Sequence, residues 1–347
     1  TFNPNDPTTG VANLQAGQSY TLTWTVTNGS CSATDEVVIS VNADPATVSA
    51  GNDQELCNAA TTTLTGTTSA GTGVWSISDD AGDIDVAIVA NTGAVSGMDA
   101  GNCYTFLWTV TDGSCTASDE VEVCVSEQPT AIAGNDQQVC ATTTQLAATP
   151  ATVGIGVWTL TSGAGVTFDS NNPTTGVADL QPGTYEFTWT ITNGACSASD
   201  IVEIVVNEEP IVSAGNDQQL CDVATTTLTG TTSIGTGTWS ISDNAGNGSL
   251  AITTGGDVSG MIAGDCYTFL WTATNGACTA SDEVEVCTDE QPIAVAGADQ
   301  SICATTTQLA ATPATVGTGV WTLTSGSGLT FNPNDPTTGV ANLQAGQ

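Results

Sequence analysis

Apolar and polar residues alternate along most of this chain. In 104–111 the residues Tyr104, Phe106, Trp108 and Val110 share one face, and Tyr185, Phe187, Trp189 and Ile191 repeat the pattern further on. A side-chain period of two belongs to a β-strand with one buried face, so these residues are expected in a core. Each segment runs into Asp112-Gly113, Asn193-Gly194, Asn275-Gly276 or Asn28-Gly29, dipeptides suited to the positive φ angles of a type I′ hairpin turn. A second strand follows, with Val121 and Val123 predicted inward and Glu120 and Glu122 outward. Upstream lie a Thr-rich strand such as 61–68, a strand centred on Trp75, Trp158, Trp239 or Trp321, and one or two weaker strands.

The pattern itself recurs. AGNDQ begins at Ala50, Ala133 and Ala214 and AGADQ at Ala296, a period of about 82 residues. About seven short strands in that length match an immunoglobulin-like sandwich, so the predicted fold is all-β: a tandem array of such domains, stapled by disulfides. The segments Gly101-Asn102-Cys103-Tyr104 and Gly183-Thr184-Tyr185 stand where a tyrosine corner would open the penultimate strand. Two kinds of repeat alternate. Kind A covers 44–127 and 209–290 and kind B covers 128–208, while 1–43 is the back part of a B repeat and 291–347 the front part of another. Asp44-Pro45, Gln128-Pro129, Glu209-Pro210 and Gln291-Pro292 mark short, stiff linkers.

The first 18 residues, TFNPNDPTTGVANLQAGQ, return as the last 18, from Thr330 to Gln347. This duplication reads as two A–B units cut from a longer array plus a short overlap, with any export signal outside. The rival reading is a discrete, pilin-like subunit whose half-domains complement those of its neighbours head to tail.

Twelve cysteines at recurring spacings point to an oxidising compartment. Within the repeats the spacing predicts Cys57–Cys115, Cys140–Cys196 and Cys221–Cys278, each tying the first strand region to the turn of the hairpin. The A repeats add Cys103–Cys124 and Cys266–Cys287 across the arms of one hairpin. Cys31 and Cys303 are left with partners outside the sequence, or with each other between neighbouring chains. Zinc is disfavoured because the chain has no CxxC pair and no His.

Charge narrows the function. The chain has no Lys, Arg or His against 36 Asp plus Glu, a formal charge of −36. Phosphates and anionic lipids therefore find no cation, which excludes nucleic-acid binding and electrostatic attraction to membranes. No stretch approaches the roughly 20 apolar residues of a membrane-spanning helix. Most catalytic schemes lose their base or their charge stabiliser, and the chain is read as no enzyme. A glycosidase would need two facing carboxylates, yet Asp119-Glu120 and Asp282-Glu283 are adjacent strand residues and point to opposite faces. GTGVW and GIGVW lack the Lys-Ser/Thr of a phosphate loop and read as glycines at the start of a strand.

No cofactor is required, although structural calcium is a candidate at the domain junctions, where Asp53, Asp136, Asp217 and Asp299 follow linkers bearing Asp44, Glu127, Glu208 with Glu209, or Asp289 with Glu290. The alternative is that AGNDQ is a turn whose Asp caps local backbone. Asn28-Gly29-Ser30 and Asn247-Gly248-Ser249 match the glycosylation pattern.

The combination AGNDQ, then Cys, then TTxLxGT, GxGxW and GxYxFxWTxTNGxCxASDxVxxxV resembles the tandem immunoglobulin-like or PKD-like repeats of giant surface adhesins from gliding Bacteroidetes. The resemblance implies export by the type IX system, an extracellular cell-surface location, and a role as the structural shaft of a filament used in adhesion and gliding. Its partners would be further repeats or identical chains. The alternative is a module that binds carbohydrate or protein, which would call for exposed aromatics in loops that are instead rich in Gly, Thr, Asn and Asp.

Overall fold

A computed structural model describes residues 1–44 and 47–344. Among them there is no helix, and the strands group into small sheets. The residues gather in two compact units, one of 1–137 with 141–205 and one of 138–140 with 206–347. Pro45 of the first linker lies outside the described residues.

In the first unit, the repeat 44–127 has a four-stranded sheet in the order Gln54–Cys57, Cys115–Ser126, Cys103–Asp112, Thr72–Asp79. Facing it are a three-stranded sheet of Thr61–Thr63, Ala94–Ser96 and Ala87–Ile88 and the pair Val48–Ser49 with Thr67–Thr68. Val95 of the three-stranded sheet and Leu64 and Val86, which flank its other strands, meet Tyr104, Phe106, Trp108, Val110, Val121 and Val123 in one buried cluster. The alternation read from sequence is thus the inward face of a sandwich, with Glu120 and Glu122 exposed. The expected single strand over 61–68 is two strands in different sheets. Between them Gly66 lies under the indole of Trp108, where a Cβ would strike the ring. Gly73 faces the same ring, and Gly156 and Gly237 do so for Trp189 and Trp271, which is the packing reason for the second glycine of these three GxGxW motifs, whereas Gly319 of the fourth faces open space.

The hairpin turns also differ from expectation. Asp112 pairs with Cys115, so the two-residue loop is Gly113-Ser114. Gly29, Gly113, Gly194 and Gly276 have φ of 62°, 59°, 52° and 57°, and the residues before them are not at positive φ. Glycine at the first central position with φ near +60° is the type II′ pattern, whose twist also suits a hairpin.

The same unit holds the larger part of the repeat 128–208, with Gly183–Asn193 between Ile155–Ser162 and Cys196–Val206, and the pair Thr144–Gln145 with Gly176–Val177. It also holds a free-standing hairpin, Ser19–Asn28 with Cys31–Ser40. The second unit repeats the A architecture in 209–290, with the sheet Gln218–Cys221, Cys278–Asp289, Cys266–Asn275, Thr236–Asp243. After it, residues 291–344 carry only the pair Thr306–Gln308 with Gly339–Ala341.

Each penultimate strand opens at a tyrosine corner. The Tyr104 hydroxyl accepts from the Asp99 amide at 2.7 Å and donates to Asp83 Oδ2 at 2.8 Å. Tyr185, Tyr267 and Tyr20 accept from the amides of Gln181, Ile262 and Gln15.

Candidate functional site: the joint between consecutive repeats

The feature with chemistry in it is where one repeat meets the next. Cys103–Cys124 and Cys266–Cys287 are disulfides across directly opposed hairpin residues, with Cα atoms 4.0 Å apart. The other three expected pairs are not formed. Cys57 is bonded to Cys196 in the first unit and Cys140 to Cys278 in the second, over separations of 139 and 138 residues. Cys115 and Cys221 are free thiols, as are Cys31 and Cys303.

Strand geometry gives the reason. Gln54–Cys57 runs parallel to the end of the long hairpin strand, so that Cys57 stands beside Ser126. Cys115 begins that same strand, Cys115–Ser126. At about 3.4 Å per residue the two thiols lie at opposite poles of the sandwich, roughly 37 Å apart, whereas a disulfide needs Cα atoms within about 7 Å. Cys221 stands beside Asp289, at the far end of Cys278–Asp289, and is separated from Cys278 in the same way. Asn207 donates its amide to Val139 O, which sets Cys140 just past the end of Cys196–Val206. The first cysteine of each repeat therefore sits at the pole where the chain leaves. The second sits at the hairpin tip, and the two meet across a joint.

Hydrogen bonds seat the tip on the preceding linker. Asn193 Nδ2 donates to Glu127 O at 2.9 Å and Gln128 Nε2 to Ser197 O at 3.0 Å. In the second unit Asn275 Nδ2 donates to Glu208 O at 2.8 Å and the Ala277 amide to Asn207 Oδ1 at 2.9 Å. A Cβ on Gly194 or Gly276 would collide with Ser126 or Asn207, so the turn glycine is needed for the fit as well as for its φ. The linker acids take part through their backbone carbonyls. At the free thiol of Cys115, burial raises the pKa above the ordinary thiol value, and the carboxylate of Asp44 acts in the same direction.

The candidate calcium residues serve another contact. Asp53, Asp136 and Asp217 each accept, through Oδ1, a backbone amide of the last strand of their own repeat, from Glu122, Glu203 and Glu285 at 2.9 Å. In return Asp119, Asp200 and Asp282 accept the amides of Ala50, Ala133 and Ala214. This reciprocal pair of charge-assisted bonds locks AGNDQ to the sheet edge. Asp299 lies in the partial repeat, whose last strand is not in the same segment. Among the described residues, the groups of three acid or thiol ligand atoms within 4.8 Å are Cys103, Glu122, Cys124 and Cys266, Glu285, Cys287, and their sulfurs are consumed in disulfides. Glu120 and Glu283 accept from Ser78 and Ser242 on the face opposite Asp119 and Asp282. Asn247 is buried, bonded to Gly260 O and the Ser249 amide, and so is closed to a glycan in the folded state.

No protein-family profile and no curated protein matches the chain. Among solved structures it is similar to a three-immunoglobulin-domain fragment of titin, at 13% identity over 69% of this chain and 96% of that one, with a TM-score of 0.40. It is similar to extracellular domains 3–5 of Drosophila OTK, at 13% identity over 71% and 97%, TM-score 0.36. The eight N-terminal immunoglobulin domains of Down syndrome cell adhesion molecule match at 14% over 80% of this chain and 40% of that one, TM-score 0.45. These likenesses concern the tandem sandwich fold and extend no further.

Proposed function

We propose that this chain is a structural shaft of an extracellular surface filament, in which each immunoglobulin-like repeat is covalently tied to the next. The observation that carries the reading is the pair of staples Cys57–Cys196 and Cys140–Cys278, which use the same register in successive repeats. A chain without cations cannot hold its joints by salt bridges, and at −36 its domains repel one another. Covalent bonds and amide–carbonyl bonds do not depend on that charge. The disulfides support an oxidising, extracellular setting. The resemblance to surface adhesins of gliding Bacteroidetes supports a bacterial cell surface, with adhesion, gliding and type IX export belonging to the same proposal.

The staples change how tension travels. When the ends are pulled, the shortest covalent path jumps from Cys57 to Cys196, runs back to Cys140 and jumps to Cys278. Residues 58–139 and 197–277, which include most of both complete A repeats, then carry no load. Single-molecule stretching should show no unfolding step from either A repeat in the oxidised chain. After reduction about 55 nm of extra extension should appear, from about 3.4 Å per residue. Equal extensions before and after reduction would remove the shaft reading.

A further inference from the structure

In each complete repeat the first and last segments of chain run side by side in the same direction, from the hairpin-tip pole to the pole where the chain leaves. In 44–127 the Ala50 amide donates to Asp119, the Glu122 amide donates to Asp53, and Gln54–Cys57 then pairs in parallel with Val123–Ser126. In 128–208 the amides of Ala133, Glu203 and Asn207 donate to Asp200, Asp136 and Val139 O. In 209–290 the Ala214 and Glu285 amides donate to Asp282 and Asp217, and Gln218–Cys221 pairs in parallel with Val286–Asp289. Contacts advance nearly residue for residue along both segments, so each first segment is as extended as the strand beside it. A strand already rises about 3.3 Å per residue, close to the limit of a fully stretched chain. Neither segment can lengthen much under tension.

Two covalent connections cross each joint, and both join unlike segments. The peptide linker carries the last segment of one repeat into the first segment of the next. The staple carries the first segment into the last: Cys57 ends Gln54–Cys57 and its partner Cys196 begins Cys196–Val206. Cys140 likewise follows Gln137–Val139, and its partner Cys278 begins Cys278–Asp289. Following both connections traces two separate lines of extended chain. One runs through 44–57, crosses to Cys196 and continues to 222. The other runs through 114–140, crosses to Cys278 and continues to 290. Residues 58–113, 141–195 and 223–277 lie outside both lines, and they contain the buried core aromatics Tyr104, Phe106, Trp158, Trp189, Tyr267 and Phe269.

We infer that the oxidised chain works as a twin tether: tension passes along two covalent lines of extended chain, and the folded cores hold those lines side by side without bearing the load. The inference rests on the shaft reading and deepens it, since it makes the shaft resistant to stretching by covalent bonds instead of by the strength of its folds. A pull on the two ends of the sequence enters one line and leaves by the other, and so must cross between them through 140–196. A pull along either line alone has no such crossing to make, and no repeat has to open. A single backbone break at a stapled linker, or the loss of one staple, leaves the neighbouring repeats joined by the other connection.

The test grips the full chain at chosen residues in an optical trap. The sequence has no lysine, so two introduced lysines, with the amino terminus blocked, give two unique amines for the handles. Asp44→Lys with Asp222→Lys grips one line at both ends, whereas Asp44→Lys with Glu290→Lys grips a different line at each end, and all three residues are exposed. In the oxidised chain the same-line pair should stretch without an unfolding step to a limit of about 13 nm, since about 39 residues at about 3.4 Å separate the grips. The cross-line pair should unfold in the 140–196 region and reach about 28 nm, over about 81 residues. Cys57→Ser should release the same-line pair to beyond about 40 nm, while Ser114→Lys with Glu290→Lys, which grips the second line, stays capped at about 13 nm. An unfolding step in the oxidised same-line pair would overturn the inference, as would equal limits for the two pairs, even where reduction lengthens both. A chain that reduction does not lengthen in any geometry fails the shaft reading itself, so the two outcomes are told apart.

Discussion

The complete B repeat, 128–208, and the separated halves of its kind at 1–43 and 291–344 are nearly the same residues in two circumstances. In the complete repeat Leu146, Leu180 and Trp158 are at most 2% exposed, while their equivalents Leu309, Leu343 and Trp321 are only half-buried. What survives separation is what pairs locally: the hairpin around Gly29, the corner at Tyr20, and the short pair Thr306–Gln308 with Gly339–Ala341. What is lost is every contact that crosses the sandwich. Burial in this fold belongs to the union of the halves, and neither sequence holds it alone.

Truncating the same tryptophan in both circumstances breaks the comparison most strongly. Trp189→Ala removes a fully buried ring that packs on Trp158 and should destabilise the complete repeat by about 3–5 kcal/mol. Trp24→Ala in the monomeric chain should stay within about 0.5 kcal/mol, as exposed substitutions do. Thermal or denaturant unfolding followed by tryptophan fluorescence reads both. Equal losses would mean that the hairpin is already buried in the isolated chain.

Much of this was legible in the sequence. Period two located the long strands and their inward faces, and directly opposed positions on one hairpin gave Cys103–Cys124. The inter-repeat staples were not, because they depend on Gln54–Cys57 pairing parallel with the far end of Cys115–Ser126. A four-residue strand with little pattern conceals that. The length of the hairpin strand was the available signal, since it keeps Cys57 and Cys115 at opposite poles. The turn type does not follow from the dipeptide, because Asp-Gly is a strong I′ signal in isolation, whereas here the register shifts the loop by one residue. Trp24 stands on the predicted inward face of its hairpin yet is half exposed, because among the described residues the sheet Ser19–Asn28 with Cys31–Ser40 has two strands only.

A smaller effect should separate Asp136 from Asp299. Asp136 accepts the Glu203 amide at 2.9 Å, so Asp136→Asn weakens a hydrogen bond to a charged acceptor and should cost about 1.5–3 kcal/mol in the complete repeat. Asp299→Asn should change the stability of the monomeric chain little. If AGNDQ serves as a lock and not as a calcium site, both results should be the same in calcium and in sodium at matched ionic strength. A calcium-specific rise in melting temperature that Asp136→Asn removes would restore the ion to the junction, because site binding adds RT ln(1 + [L]/Kd) and screening does not discriminate between salts.

The smallest effect sharpens the comparison by asking what one atom does inside two complete repeats of the same kind. At the tyrosine corner of 44–127 stands Asp83, and at the equivalent place in 209–290 stands Asn247. The Asp85 amide and the Tyr104 hydroxyl donate to Asp83 and hold its carboxyl below the usual value of 3.8. Asn247 likewise accepts the Ser249 amide, but its Nδ2 donates to the Tyr267 hydroxyl and to Gly260 O, all without a titrating proton. A carboxyl depressed in the folded state binds fewer protons there than in the unfolded chain. Its contribution is therefore complete above the unfolded pKa and is lost as pH falls through the folded one. Asp83→Asn should leave the melting temperature at pH 7 almost unchanged and should make its fall below about pH 4 shallower. Asn247→Asp should make that fall steeper. Parallel pH profiles for the two variants and the parent chain would show that the corner is held by the tyrosine's amide contact alone, with the side chain at position 83 a bystander.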